Sequence, residues 1–192
     1  MNTPSHFLVN AALVKRWRDR AIVKSAFLFG SIAPDLPLYL LSLGSFVLYH
    51  YVQGWSLAET FRYMFDELYF NHPLWIVSHN LLHSPVVLGV GLLLLRRWCD
   101  RAPSGKSWGF WFLAGCIVHT LLDIPTHVDD GPLLFFPFNW SIRFQSPVSY
   151  WDDRYYGREF STFEAILDVV LLLYLLWQPG RKFIRRVRQR WF

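Results

Sequence analysis

Apolar residues fall in blocks along this chain, and the blocks end at prolines or at clusters of arginine and lysine. Thr3-Pro4-Ser5 reads as a helix start, with a capping hydroxyl and proline in the first turn, and predicts a helix over 3–17. A basic turn, 15–20, leads to a second helix over 21–33, which Pro34-Asp35-Leu36-Pro37 must stop. An apolar helix over 38–52 follows, then an aromatic-rich amphipathic stretch over 55–70 that reads as interfacial. Residues 74–95 form the best spanning candidate, a mostly apolar run closed by Arg96-Arg97. Beyond a turn at 101–107, an apolar helix over 108–124 runs into Pro125. A loop rich in Pro, Gly, Asp and aromatics fills 125–160, and loops of that length are often functional. The last apolar helix, 162–177, gives way at Pro179-Gly180 to a basic tail over 179–192.

Composition agrees with a membrane protein. Of 192 residues, 53% are hydrophobic and only 17% charged, against about 25% in an average soluble domain. Ten Trp, nine Tyr and seventeen Phe exclude a disordered chain. We expect one all-α domain over 1–192, a multi-pass integral membrane helical bundle. The net charge of +5 could suggest nucleic acid, but the basic residues sit in short clusters between apolar runs, so no nucleic-acid partner is expected. Fifteen of the nineteen Lys and Arg lie in 15–24, 96–107 and 179–192, and four in 53–73 and 125–160. The positive-inside rule then puts the basic loops and the C-terminal tail in the cytoplasm of a cell (inner) membrane protein. Basic residues follow the first apolar stretch instead of preceding it, the reverse of a secretory signal. Cys99 and Cys116 form no CxxC pair, which predicts neither a disulfide nor a cysteine metal site.

Ionisable residues inside the apolar helices change the picture most, because each costs several kcal/mol there unless paired or ligated. His79 and His83 are four apart and share a helix face, as do His119 and Asp123, and Glu164 and Asp168. Counting about 1.5 Å per residue from the basic clusters, His6 and Asp35 lie about 14–16 Å deep, and His79 and His119 about 20–25 Å. Four helices can therefore bring ligands to one layer near the outer membrane face. Mixed imidazole and carboxylate suits Zn2+ or another divalent transition metal, in one to three ions. Such an ion lowers the pKa of a bound water toward about 7, so that hydroxide is available at neutral pH. A lone membrane histidine serves more often as a helix–helix hydrogen bond, and His50 and His72 fit that or an interfacial role. Asp129, Asp130, Asp152 and Asp153 are read as solvated loop acids, and the tail as a membrane-surface anchor.

Thr3-Pro4-Ser5-His6-Phe7-Leu8, Gly30-Ser31-Ile32-Ala33-Pro34-Asp35, His83-Ser84, His119-Thr120-Leu121-Leu122-Asp123-Ile124-Pro125-Thr126-His127 and Pro132–Pro137 occur in an order that resembles the membrane-bound metal-dependent hydrolases of the YdjM-like family. That family is similar to the zinc-dependent phospholipase C and single-strand nuclease superfamily. The resemblance implies a bundle resembling the zinc-dependent phospholipase C fold. It implies metal ligands at His6, Asp35, His83, His119, Asp123, His127 and the late Glu164. Leu36, Pro37 and Leu38 stand where the family continues with a further Asp and His, and His79 lies four, not five, before His83.

Together these readings predict a membrane-bound metal-dependent hydrolase. Its metal-activated water would attack a phosphoester or similar bond of a membrane lipid or lipid-linked substrate, with Asp35 or Glu164 as general base. His83, His119, Asp123 and Asp35 are expected as central ligands, with His6, His79, His127 and Glu164 around them. Arg143, Arg154 and Arg158 in the long loop read either as phosphate holders or as charges of a solvated loop. The alternative is a non-enzymatic protein that binds or transports a divalent metal; a haem protein and a non-catalytic member of the fold are further rivals.

Overall fold

The computed structural model describes residues 1–17, 22–101 and 107–191, with side chains at 1–17, 22–97 and 107–177. The described residues are helical apart from loops and one isolated bridge, Leu133 to Arg143. Helix α1 is Thr3–Arg16 and α2 is Lys24–Gly30, followed by a turn through Asp35. Helix α3, Leu36–Phe46, widens into a π-helical stretch, Val47–Val52. Helix α4, Leu57–Arg62, starts at a Ser56–Glu59 capping box and continues through a second π-helical stretch, Tyr63–Leu68, into a last turn, α5, Tyr69–Asn71. Then come α6 (Pro73–Asn80), α7 (Pro85–Arg101), α8 (Trp108–Asp123) with a 3-10 turn Ile124–Thr126, and α9 (Gly157–Trp191).

Three expectations are corrected. The run over 74–95 is not one helix: α6 and α7 meet at a bend of 47°. Pro85 has no N–H for the ladder and drives the residue before it out of the helical region, which hydropathy does not register. The second helix stops at Gly30, ahead of Pro34, where the Ser31 hydroxyl bonds the Leu28 carbonyl. The last helix starts at Gly157 and carries on past Pro179-Gly180, since one proline removes a single ladder bond. The basic turn at 18–20, the side chain of Cys99, most of the turn at 101–107 and the side chains of the tail fall outside the described set. Cys116 is a buried free thiol.

Among the described residues, two helical stretches are long and apolar enough to cross a membrane, Trp108–Thr126 and Gly157–Trp177, and the bent pair Pro73–Asn80 with Pro85–Arg97 makes a third if it counts as one span. The bundle centre is α2 against α8. A Cβ at Gly30 would strike the Phe112 carbonyl, and one at Gly115 the Phe27 carbonyl, so only glycine lets these backbones touch. Asn10 of α1 donates to Phe27 O and Gly115 O, 3.3 Å each, and ties a third helix to the pair. Helix α1 lies on α9, where Ser5 Oγ donates to Asp168 Oδ2 at 2.9 Å and Lys15 Nζ donates to the Tyr174 and Leu175 carbonyls. The α3–α4 hairpin projects as an arm closed by Met64, Leu68, Tyr69 and Trp75, docked on the rest chiefly through α6.

Candidate metal centre

Four elements end at one place. Asp35 precedes α3, His83 lies in the break between α6 and α7, and His119 and Asp123 occupy the last turns of α8. One ligand atom from each of these four residues lies within 4.8 Å of all the others. Asp35 stands at the N-cap of α3 but makes no cap hydrogen bond, which leaves its Oδ1 to face the cluster. His119 Nε2 is 2.9 Å from Asp123 Oδ2 and 3.4 Å from Asp35 Oδ1; His83 Nε2 is 3.6 and 3.5 Å from the same two atoms.

The break in the 73–101 segment is itself stitched in place. Asn80 donates to the Ile76 carbonyl at 2.8 Å and accepts from Leu133 N at 2.7 Å, while Ser84 Oγ donates to Phe136 O at 2.8 Å. Freed backbone groups in a membrane protein need such partners.

Second bonds fix the ring tautomers. His83 Nδ1 donates to the His79 carbonyl at 2.8 Å, and His119 Nδ1 donates to the Ser31 carbonyl at 2.9 Å. A carbonyl oxygen only accepts, so both Nδ1 atoms carry the proton, and a ring that is neutral then turns an Nε2 lone pair inward. The two Nε2 atoms face each other at 3.1 Å, between two carboxylates. Four electron-rich groups with no donor among them repel unless a cation sits between, so the residues present fit a divalent metal.

The other expected site residues fall around this set. The His6 ring stacks on His119 at 3.7 Å, with Nε2 2.9 Å from Asp123 Oδ1. His127 Nδ1 donates to the Asp123 carbonyl at 2.9 Å, and burial pushes this imidazole below its ordinary pKa, keeping it neutral. His79 stacks on His83 at 4.1 Å and directs its Nε2 to Tyr69 Oη at 3.0 Å, so it supports the cluster from outside. Glu164 is also outside: its two oxygens accept from Asn2 N and Asn2 Nδ2, 2.7 Å each.

Residues that sequence reasoning missed act one step behind the cluster. Thr3, read as a capping hydroxyl, donates instead to Asp35 Oδ2 and contacts Tyr39 Oη at 2.7 Å. Tyr69 donates to the Asp130 carbonyl at 2.6 Å, which leaves its oxygen to accept from His79. The Met1 amino group donates to Asp123 Oδ1 at 3.0 Å and to Thr126 Oγ1 at 2.8 Å. None of these pairings carries a sequence signal, because each joins separate elements. The loop arginines are engaged elsewhere: Arg143 with the Gly131 carbonyl, Arg154 with Asp152 at 2.7 Å, Arg158 with Asp153 at 3.6 Å.

A cavity of about 740 Å³ opens on the cluster, with Asp35, His79, His83, Asp123 and His127 in its wall. A helical membrane protein with a buried cluster able to bind a metal ion at the end of its bundle is thus the class that fold and site define. The family model described as YdjM inner membrane protein matches residues 1–183, and the chain belongs to that family. No curated protein and no solved structure matches it.

Proposed function

We propose that this chain is a membrane-embedded, metal-dependent hydrolase acting on a phosphoester or similar bond of a lipid or lipid-linked substrate. The observation that carries the reading is the inward pair of bare Nε2 atoms, His83 and His119, between Asp35 and Asp123, beside a cavity large enough for a lipid headgroup. Imidazole with carboxylate is the donor set of zinc and similar ions. Such an ion supplies Lewis acidity, polarising a phosphoryl oxygen and making water more acidic.

The chain's own residues do the rest. His83, His119, Asp123 and Asp35 would hold the ion, and His6 and His127 flank Asp123, where a further ion would also find ligands. Asp35 is the most accessible of the four, with 18% of its side chain exposed and Oδ2 engaged by Thr3. It borders the cavity, and as the least enclosed of the four its carboxylate would take the proton from water. Glu164 positions Asn2 and the start of α1 behind the cluster. Elemental analysis of purified protein is expected to find at least one transition-metal ion per chain, and a screen of phosphoester lipids to find hydrolysis that chelation abolishes. Protein that neither carries nor takes up stoichiometric metal overturns the reading.

A further inference from the structure

The α3–α4 arm forms one wall of the cavity, and that wall is made for something greasy. From α3 come Leu38 and Tyr39; from α4 and its π-helical continuation come Phe61, Arg62, Phe65 and Asp66. Phe61, Arg62, Phe65 and Asp66 all border the cavity, as does Tyr69 beyond them, which reaches His79. From Leu36 to Ala58 there is no Asp, Glu, Lys or Arg. The outer face of α3 is bare: Leu40 is 70% and Leu43 63% exposed, with Val47, Leu48 and Val52 beyond them. An unbroken apolar surface of this kind in a membrane-family protein is covered by acyl chains. Phe61 and Phe65, at 48% and 39% exposed, line the cavity, so greasy surface runs from the arm's outer face into the site. Arg62 adds charge at the same wall and makes no ion pair among the described residues, whereas the cavity's other arginine, Arg154, is paired with Asp152.

We infer that a bilayer phospholipid enters the cavity sideways past the α3–α4 arm, its acyl chain against Leu38, Phe61 and Phe65 and its phosphate met by Arg62. This deepens the proposed function by naming how its substrate arrives, and it rests on that reading of the substrate as a lipid. The test needs no turnover. Protein is reconstituted in phosphatidylethanolamine vesicles doped with phosphatidylglycerol bearing a photoreactive diazirine in one acyl chain, and labelled peptides are mapped. Labels are expected on the inward wall, at Leu38 and Phe65, as well as on outward Leu40 and Leu43. Arg62→Gln is expected to reduce inward labelling about tenfold, the worth of one charge-assisted contact, and to leave outward labelling unchanged. Leu38→Trp, which fills the groove, is expected to do the same. Outward labelling serves as the control for folding and insertion. Inward positions that stay unlabelled, or labelling indifferent to both variants, overturn the inference. Inward labelling in a protein that shows no hydrolysis leaves it standing while the hydrolase reading fails.

Discussion

His83 and His119 each give the Nδ1 proton to a main-chain carbonyl, so the nitrogen left facing inward has only its lone pair to offer. That makes the cluster a trap for cations, and it sets what single substitutions do. His119→Ala and Asp123→Ala each remove a central ligand; bound metal in purified protein is expected to fall below stoichiometry, read by elemental analysis. Thr3→Val leaves the ligands intact but frees Asp35 Oδ2, and metal affinity is expected to drop about 10- to 100-fold, the usual cost of losing an outer partner. Wild-type affinity in Thr3→Val would show that Asp35 needs no support. Glu164→Gln should differ in kind. It weakens the clasp on Asn2, costing about 1–2 kcal/mol of stability in a melting experiment, with metal content unchanged. At this scale one of the three i,i+4 pairs on apolar helices, His119 with Asp123, falls whole within the cluster. The partners were not legible in the sequence: His79 shares its face with His83 yet turns to Tyr69, on another element.

Among the elements, the short α2 matters beyond its length. Its contact with α8 through Gly30 and Gly115 sets where the Ser31 carbonyl sits, and that carbonyl orients His119. Gly115→Ala must push α2 away, at about 1–3 kcal/mol, and should weaken metal binding from a position that touches no ligand. Unchanged melting and affinity would refute that coupling. Helix existence was readable from apolar runs and prolines, and most boundaries fall near their expected places. The kink before Pro85 was not readable by hydropathy, because an apolar window sums side chains while the bend is a backbone event. That bend is what lets His83 meet helices it could not reach from a straight span.

For the molecule as a whole, the cluster sits at the end of the bundle that carries the 127–156 loop, opposite the ends of α1, α7 and α9 where the basic residues gather. A reporter fused after Phe192 is expected in the cytoplasm and one inserted at the exposed Phe138 on the other side; the opposite pattern would reverse the orientation inferred from the Lys and Arg count. The central ligands are scattered through the chain at 35, 83, 119 and 123. No nascent polypeptide ending before Asp123 has the complete cage, and the helices must already be inserted and assembled before it closes. On the metal-centre function proposed above, loading with the ion is a late event in biogenesis, and a cell starved of that ion would accumulate inserted apoprotein while synthesis ran on.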